Sequence, residues 1–240
     1  MLANMEWFIA VLKRAACMAV CLTCLAAPAH ADDLNDFNRA VEAAMSHRRV
    51  AAEYLRTGNV DLAVLEIEGM REAWGKVSTL PRPSAFKDQQ RYTGTLLEIA
   101  AGLVGVSLVL NLGRPDVARE QLGAIRVSLS RLRHENGVTV LADCVLDANT
   151  SMDALFAHDE KPDWESVAAG AESYRAILQR CDGMASASIR GHPEFRRLID
   201  GALASLAQAS QAVDARDRDL LHRLLIELRS FDHLLAFRYG

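Results

Sequence analysis

The sequence predicts an all-α protein of two tandem up-and-down four-helix bundles, built from four helical hairpins. Three observations carry that expectation. Aromatic residues make up only 6% of the 240 residues, and alternating runs of Val, Ile and Thr, the mark of strands, are missing. One helical template recurs four times. The copies are spaced so that the chain divides into two similar halves.

The first element is a leader. Lys13 and Arg14 precede an uncharged run from Ala15 to Pro28, and Ala29-His30-Ala31 has small residues where a signal peptidase reads. The apolar run is shorter than the roughly 20 residues a spanning helix needs. Cys21 and Cys24 lack the small residue directly before them that a lipid anchor would require, and Cys17, preceded by Ala16, has the charged Arg14 three positions before it. Residues 1–31 are therefore expected to be a signal peptide cleaved after Ala31. The remainder is expected to be exported, to the periplasm in a Gram-negative producer.

The template follows each tight turn: DLAVLEIEGMREAW (61–74), DVAREQLGAIRVSL (116–129), ESVAAGAESYRAIL (165–178) and DLLHRLLIELRSFD (219–232). Each copy opens on an acid, Asp61, Asp116, Glu165 or Asp219. Apolar residues two, six and nine positions later line one helix face. The acids read as helix starters, because a carboxylate in the first turn favours the helix dipole. Asn59, Asp163 and Asp217 are candidate N-caps, Pro115 fits the first helical position, and Gly58 and Gly113 suit the preceding turns.

The separations of Asp61 from Glu165 and of Asp116 from Asp219 are nearly equal, as a duplication would leave them. Each half holds two hairpins joined by a longer crossing, GKVSTLPRPS (75–84) or DGMASASIRGHP (182–193), and HENG (134–137) separates the halves. This places one bundle at 32–135 and the other at 138–240. The alternative is an α-solenoid of four hairpins, which would treat the three junctions alike, whereas the middle one is the shortest.

Helix 95–113 departs from its duplicate. It carries a single charge, Glu98, whereas 194–213 is amphipathic. An all-round apolar helix is expected to be buried on every side, between the bundles or in a homodimer interface. Its uncharged stretch is too short for a membrane span.

Two cysteines follow the leader, Cys144 and Cys181, on helices expected at 141–157 and 164–181. The midpoint between them falls in the connecting loop 158–164, so they sit level in an antiparallel hairpin. An oxidising compartment then favours a disulfide, adding about 3–4 kcal/mol.

The chemistry the sequence allows is narrow. With 27 Lys and Arg against 31 Asp and Glu, the net charge of −4 offers no basic field for nucleic acid. Covalent haem c is excluded, since no C-x-x-C-H occurs. Di-iron Glu-x-x-His pairs, zinc-protease and nucleophile-elbow motifs and phosphate-binding glycine loops are also missing. His47, His134, His158 and His192 are scattered over different helix ends and loops. Haem b needs no spacing motif, and Met152 with His222 would share a level if their helices are neighbours.

Each template also carries an arginine ten residues after its acid: Arg71, Arg126, Arg175 and Arg229. Converging, they would bind an anion, but one per unit does not imply convergence. Their long side chains suit the edge of a core stripe, with the guanidinium left wet. On the last helix, His222, Asp232 and His233 have no counterpart in the other copies. With Arg229 they are the candidate residues for binding a ligand or partner.

The expected function is that of a non-enzymatic binding or accessory factor, taking a partner protein or small ligand in the periplasm. A haem b or metal-binding redox carrier in the second bundle is the alternative.

Overall fold

A computed structural model describes residues 29–159 and 162–240. Residues 1–28, most of the leader expected at 1–31, lie outside the described residues. Among those described there are nine helices and no strand. They are α1 (Ala29–Arg56), α2 (Val60–Thr79), α3 (Gln89–Asn111), α4 (Pro115–Glu135), α5 (Leu141–Phe156), α6 (Trp164–Met184), the single turn α7 (Ala187–Arg190), α8 (Pro193–Ala215) and α9 (Arg218–Tyr239).

Helices α1 to α4 close a ring in which each packs on the next and α4 returns to α1. Helices α5, α6, α8 and α9 close a second ring in the same way. Closed rings are bundles rather than a solenoid. The buried apolar side chains form two clusters, one from Phe37 to Val138 and one from Val145 to Leu235. In the first, Phe86 packs against Phe37 and Tyr92 with ring centroids 5.2 and 5.3 Å apart. In the second, Cys144 and Cys181 form the expected disulfide, with Cα atoms 5.5 Å apart.

Local chemistry sets the helix ends. Gly58 and Gly113 take φ of 78° and 70°, a left-handed turn open to glycine at little cost. Pro115 opens α4, and the Asp217 carboxylate accepts from Leu220 N at 2.9 Å. Asn59 stands at its N-cap position but makes no side-chain cap; its amide donates to Thr57 instead. The crossing expected from residue 75 begins later. Burial of Trp74 and Val77 carries α2 through Gly75 to Thr79, and the Trp74 indole donates to Leu96 O at 3.3 Å. That burial outweighs the roughly 1 kcal/mol a helical glycine costs.

Helix α3 corrects a stronger expectation. It packs on α2 and α4 through Leu96, Ile99, Leu103 and Val106, and is not buried on every side. Leu97, Val104, Leu108 and Leu112 are 59–69% exposed. Together with Ala101 they repeat every three to four residues, so they form a second apolar face at an outer corner of the bundle. By length and composition alone this helix could cross a membrane. Its inner face nevertheless carries the first bundle's core.

The bundles meet where α9 lies against α1 and where Gly137, with φ of 69°, turns α4 into α5. Polar side chains cross that junction. Buried Arg133 reaches Asp143 at 3.4 Å and Asn38 at 3.3 Å. Arg49 donates to the main-chain oxygen of Gly240 at 2.8 Å.

Candidate functional site at the bundle junction

The apolar stripe of α1 runs Phe37, Val41, Ala44, Arg48, Ala51, Leu55, all buried, at alternating steps of four and three. An arginine thus occupies a position whose register calls for an apolar residue. The stripe of α9, Leu221, Leu225, Leu228, Asp232, Leu235, breaks in the same way with an aspartate. These two interruptions lie on the two helices that meet at the junction.

A cavity of about 220 Å³ opens beside them. Helix α1 lines it with Arg48, Arg49, Ala52, Glu53 and Arg56, residues that share one helix face. Helix α4 adds Arg119 and Arg126, two turns apart, and α5 adds Asn149. Helix α9 contributes His233, Ala236 and Phe237. Both bundles are needed to build it.

The charges in this cavity are unequal. Glu53 is the acid among the lining residues, and it is shared between Arg56 at 2.5 Å and His233 at 3.3 Å. Glu42 is taken by Arg49 at 2.5 Å. Arg126 donates to the neutral Asn149 amide oxygen at 2.9 Å and to Ala142 O at 3.3 Å, and its Nε is buried without a partner. Arg48 is only 7% exposed, its Nε is sealed, and it makes no hydrogen bond or ion pair with any described residue. Burial lowers the Arg48 guanidinium to about 9 and that of Arg126 to about 10. Both remain cations at neutral pH.

Behind Arg126 a polar relay enters the second bundle. The Asn149 amide donates to Asp232, and the Tyr174 hydroxyl donates to the other Asp232 oxygen at 3.2 Å. Burial raises the Asp232 carboxyl from 3.8 to about 6, against the pull of those two donors. Burial and the adjacent carboxyl push the Tyr174 phenol well above its ordinary range.

No protein family matches the chain, and no curated protein or solved structure matches it.

The residues singled out on the last helix part company. His233 lines the cavity, and Asp232 holds the relay beneath it. Arg229 turns outward, 3.2 Å from Asp153 and with its guanidinium 4.3 Å above the Phe156 ring. His222 is exposed at the start of α9 and bonded to Asp159 at 2.8 Å. Met152 is fully buried in the second core. Among the described residues no three His, Cys, Asp or Glu side chains are placed to hold a metal ion.

Sequence reasoning passed over Arg48, Arg49, Arg56 and Arg119, and it set Arg126 aside with its template partners. The break in the α1 stripe was the available signal. Chemically the cavity offers guanidinium donors, one imidazole and a short apolar wall, an arrangement suited to holding a ligand.

Proposed function

We propose that the protein is an exported, periplasmic, non-enzymatic binding factor whose small ligand seats in the cavity between its two bundles. One observation carries this reading: helices α1, α4, α5 and α9, from both bundles, converge polar side chains on a single cavity. Binding sites favour such seams between folded units, where a few placed polar groups meet an apolar wall. The leader-like residues 1–31 and the Cys144–Cys181 pair support export. A ligand that touches both bundles would fix their mutual orientation, as suits an accessory factor that signals occupancy through its shape.

A second surface supports self-association. The uncovered α3 stripe is apolar and uncharged from Leu97 to Leu112 apart from Glu98, so a second copy can cover it without pairing charges.

Native mass spectrometry of the protein isolated from an exported fraction tests the binding reading. A small non-covalent mass released on denaturation is expected. Protein that carries no such mass, and that small molecules of the host extract do not stabilise, would overturn it.

A further inference from the structure

We propose that the ligand of this cavity is a small dianion of the carboxylate or phosphate type, gripped at its inner end by Arg48 and Arg126. The inference rests on the reading of the cavity as a ligand site and adds its chemistry.

The first argument is the charge left over. Once Arg56 and His233 are assigned to Glu53 and Arg49 to Glu42, three guanidinium groups at the cavity have no bonded carboxylate among the described residues: Arg48, Arg119 and Arg126. Glu42 acts on Arg48 only from a distance, while bound to Arg49. Asp232, Asp143 and Asp147 act on Arg126 only from a distance, so the three guanidinium groups still offer the cavity more positive charge than a monoanion would balance.

The second argument is desolvation. An unpaired buried cation is costly, and removing one member of a buried pair is among the more destabilising changes known. Arg48 stands in that condition, in a stripe where an apolar residue would pack. An anion arriving from outside supplies the missing partner. Arg126 adds a second guanidinium to the cavity lining, and guanidinium forks match the paired oxygens of carboxylates and phosphates.

Size narrows the class. A cavity of about 220 Å³ has room for a small molecule of few heavy atoms. Ala52, Ala236 and Phe237 provide a wall for a short carbon skeleton, with Arg119 and His233 left for the second acidic group.

The test is isothermal titration of the full exported chain, disulfide intact, at fixed ionic strength. Succinate, inorganic phosphate and sulfate serve as dianions, acetate as the monoanion and succinamide as the neutral isostere of succinate. At least one dianion is expected to bind saturably, tenfold or more tighter than acetate; succinate against phosphate separates the two sources. Arg48→Gln is expected to weaken that binding at least tenfold while raising the melting temperature of ligand-free protein, because it removes an unpaired charge. Arg71→Gln, at the template position on α2 that Arg126 occupies on α4, should leave the affinity unchanged. A merely structural Arg48 would instead give a lower melting temperature and unaltered binding, which overturns the proposal. Succinamide binding as well as succinate, with loss in the cavity-filling Ala236→Trp, would remove the dianion and keep the cavity reading. If host-extract small molecules stabilise wild type and Ala236→Trp alike, both fall.

Discussion

The two bundles share a template and a topology, yet each is secured by different means. The first relies on apolar contact, with Phe37, Phe86 and Tyr92 clustered in its core. The second is stapled by Cys144–Cys181 and holds a hydrogen-bonded polar group, Asp232 with Asn149 and Tyr174, whereas the buried Arg48 of the first has no such partner. Their outer faces differ as well: α3 leaves an apolar stripe uncovered where its duplicate α8 is amphipathic. Duplicated units thus agree where a helix needs a core and diverge where a face meets something else. The junction is the sharpest case. There Arg48 from one bundle and Asp232 from the other replace apolar residues in otherwise regular stripes.

Core truncation in the first bundle should have the largest effect. Phe37→Ala is expected to cost about 3–5 kcal/mol, read by denaturant unfolding, because the ring is fully buried among aromatic neighbours. Opening the disulfide should come next. Cys144→Ala with Cys181→Ala is expected to cost about 3–4 kcal/mol for a loop of this length, with hydrogen exchange loosened in α5 and α6 and not in α2 and α3. Equal loosening of both bundles would mean that they unfold as one unit and that the contrast in their fastening has no energetic meaning.

Asp232 gives a pH signature confined to the second bundle. Its folded pKa is raised, so ionisation is what the fold disfavours. The cost is absent below 3.8, grows as pH rises to about 6 and is complete above that. Relative to Asp232→Asn, wild-type stability should therefore fall between pH 4 and 6.5, by up to about 3 kcal/mol. A pH-independent difference between the two proteins would contradict the buried-carboxyl account.

The smallest expected stability change comes from the outer face of α3. Val104→Glu should lie within about 0.5 kcal/mol of wild type, whereas Leu103→Ala beside it should cost about 2–5 kcal/mol, since Leu103 is buried and Val104 is 64% exposed. Light scattering reads the other consequence: wild type is expected to associate and Val104→Glu to remain monomeric.

Helix periodicity, turn glycines and the level placement of Cys144 and Cys181 were legible in the sequence because each is a local pattern or simple hairpin geometry. The exposure of α3 was not. An all-round apolar composition states what a helix tolerates, and the corner it occupies depends on how the other helices pack. Of the candidate site, His233 and Asp232 stood out as departures from the template. Arg48 lies on a helix without a template copy, and it lines one cavity with His233 and Phe237 only because α9 lies against α1. No short-range pattern encodes that meeting. Arg126 shares its template position with Arg71 and Arg229, yet Arg71 pairs with Glu68 on its own helix and Arg229 covers Phe156. Register sets the helix face on which an arginine lies, and the packing of the bundles decides what that face meets.

The most direct test of the junction as an anion site is a crystal structure grown in succinate. The account predicts a carboxylate of the ligand within hydrogen-bond distance of the Arg48 and Arg126 guanidinium groups, between α1, α4 and α9. A cavity holding only water, with the Arg48 guanidinium turned out to solvent, would contradict it.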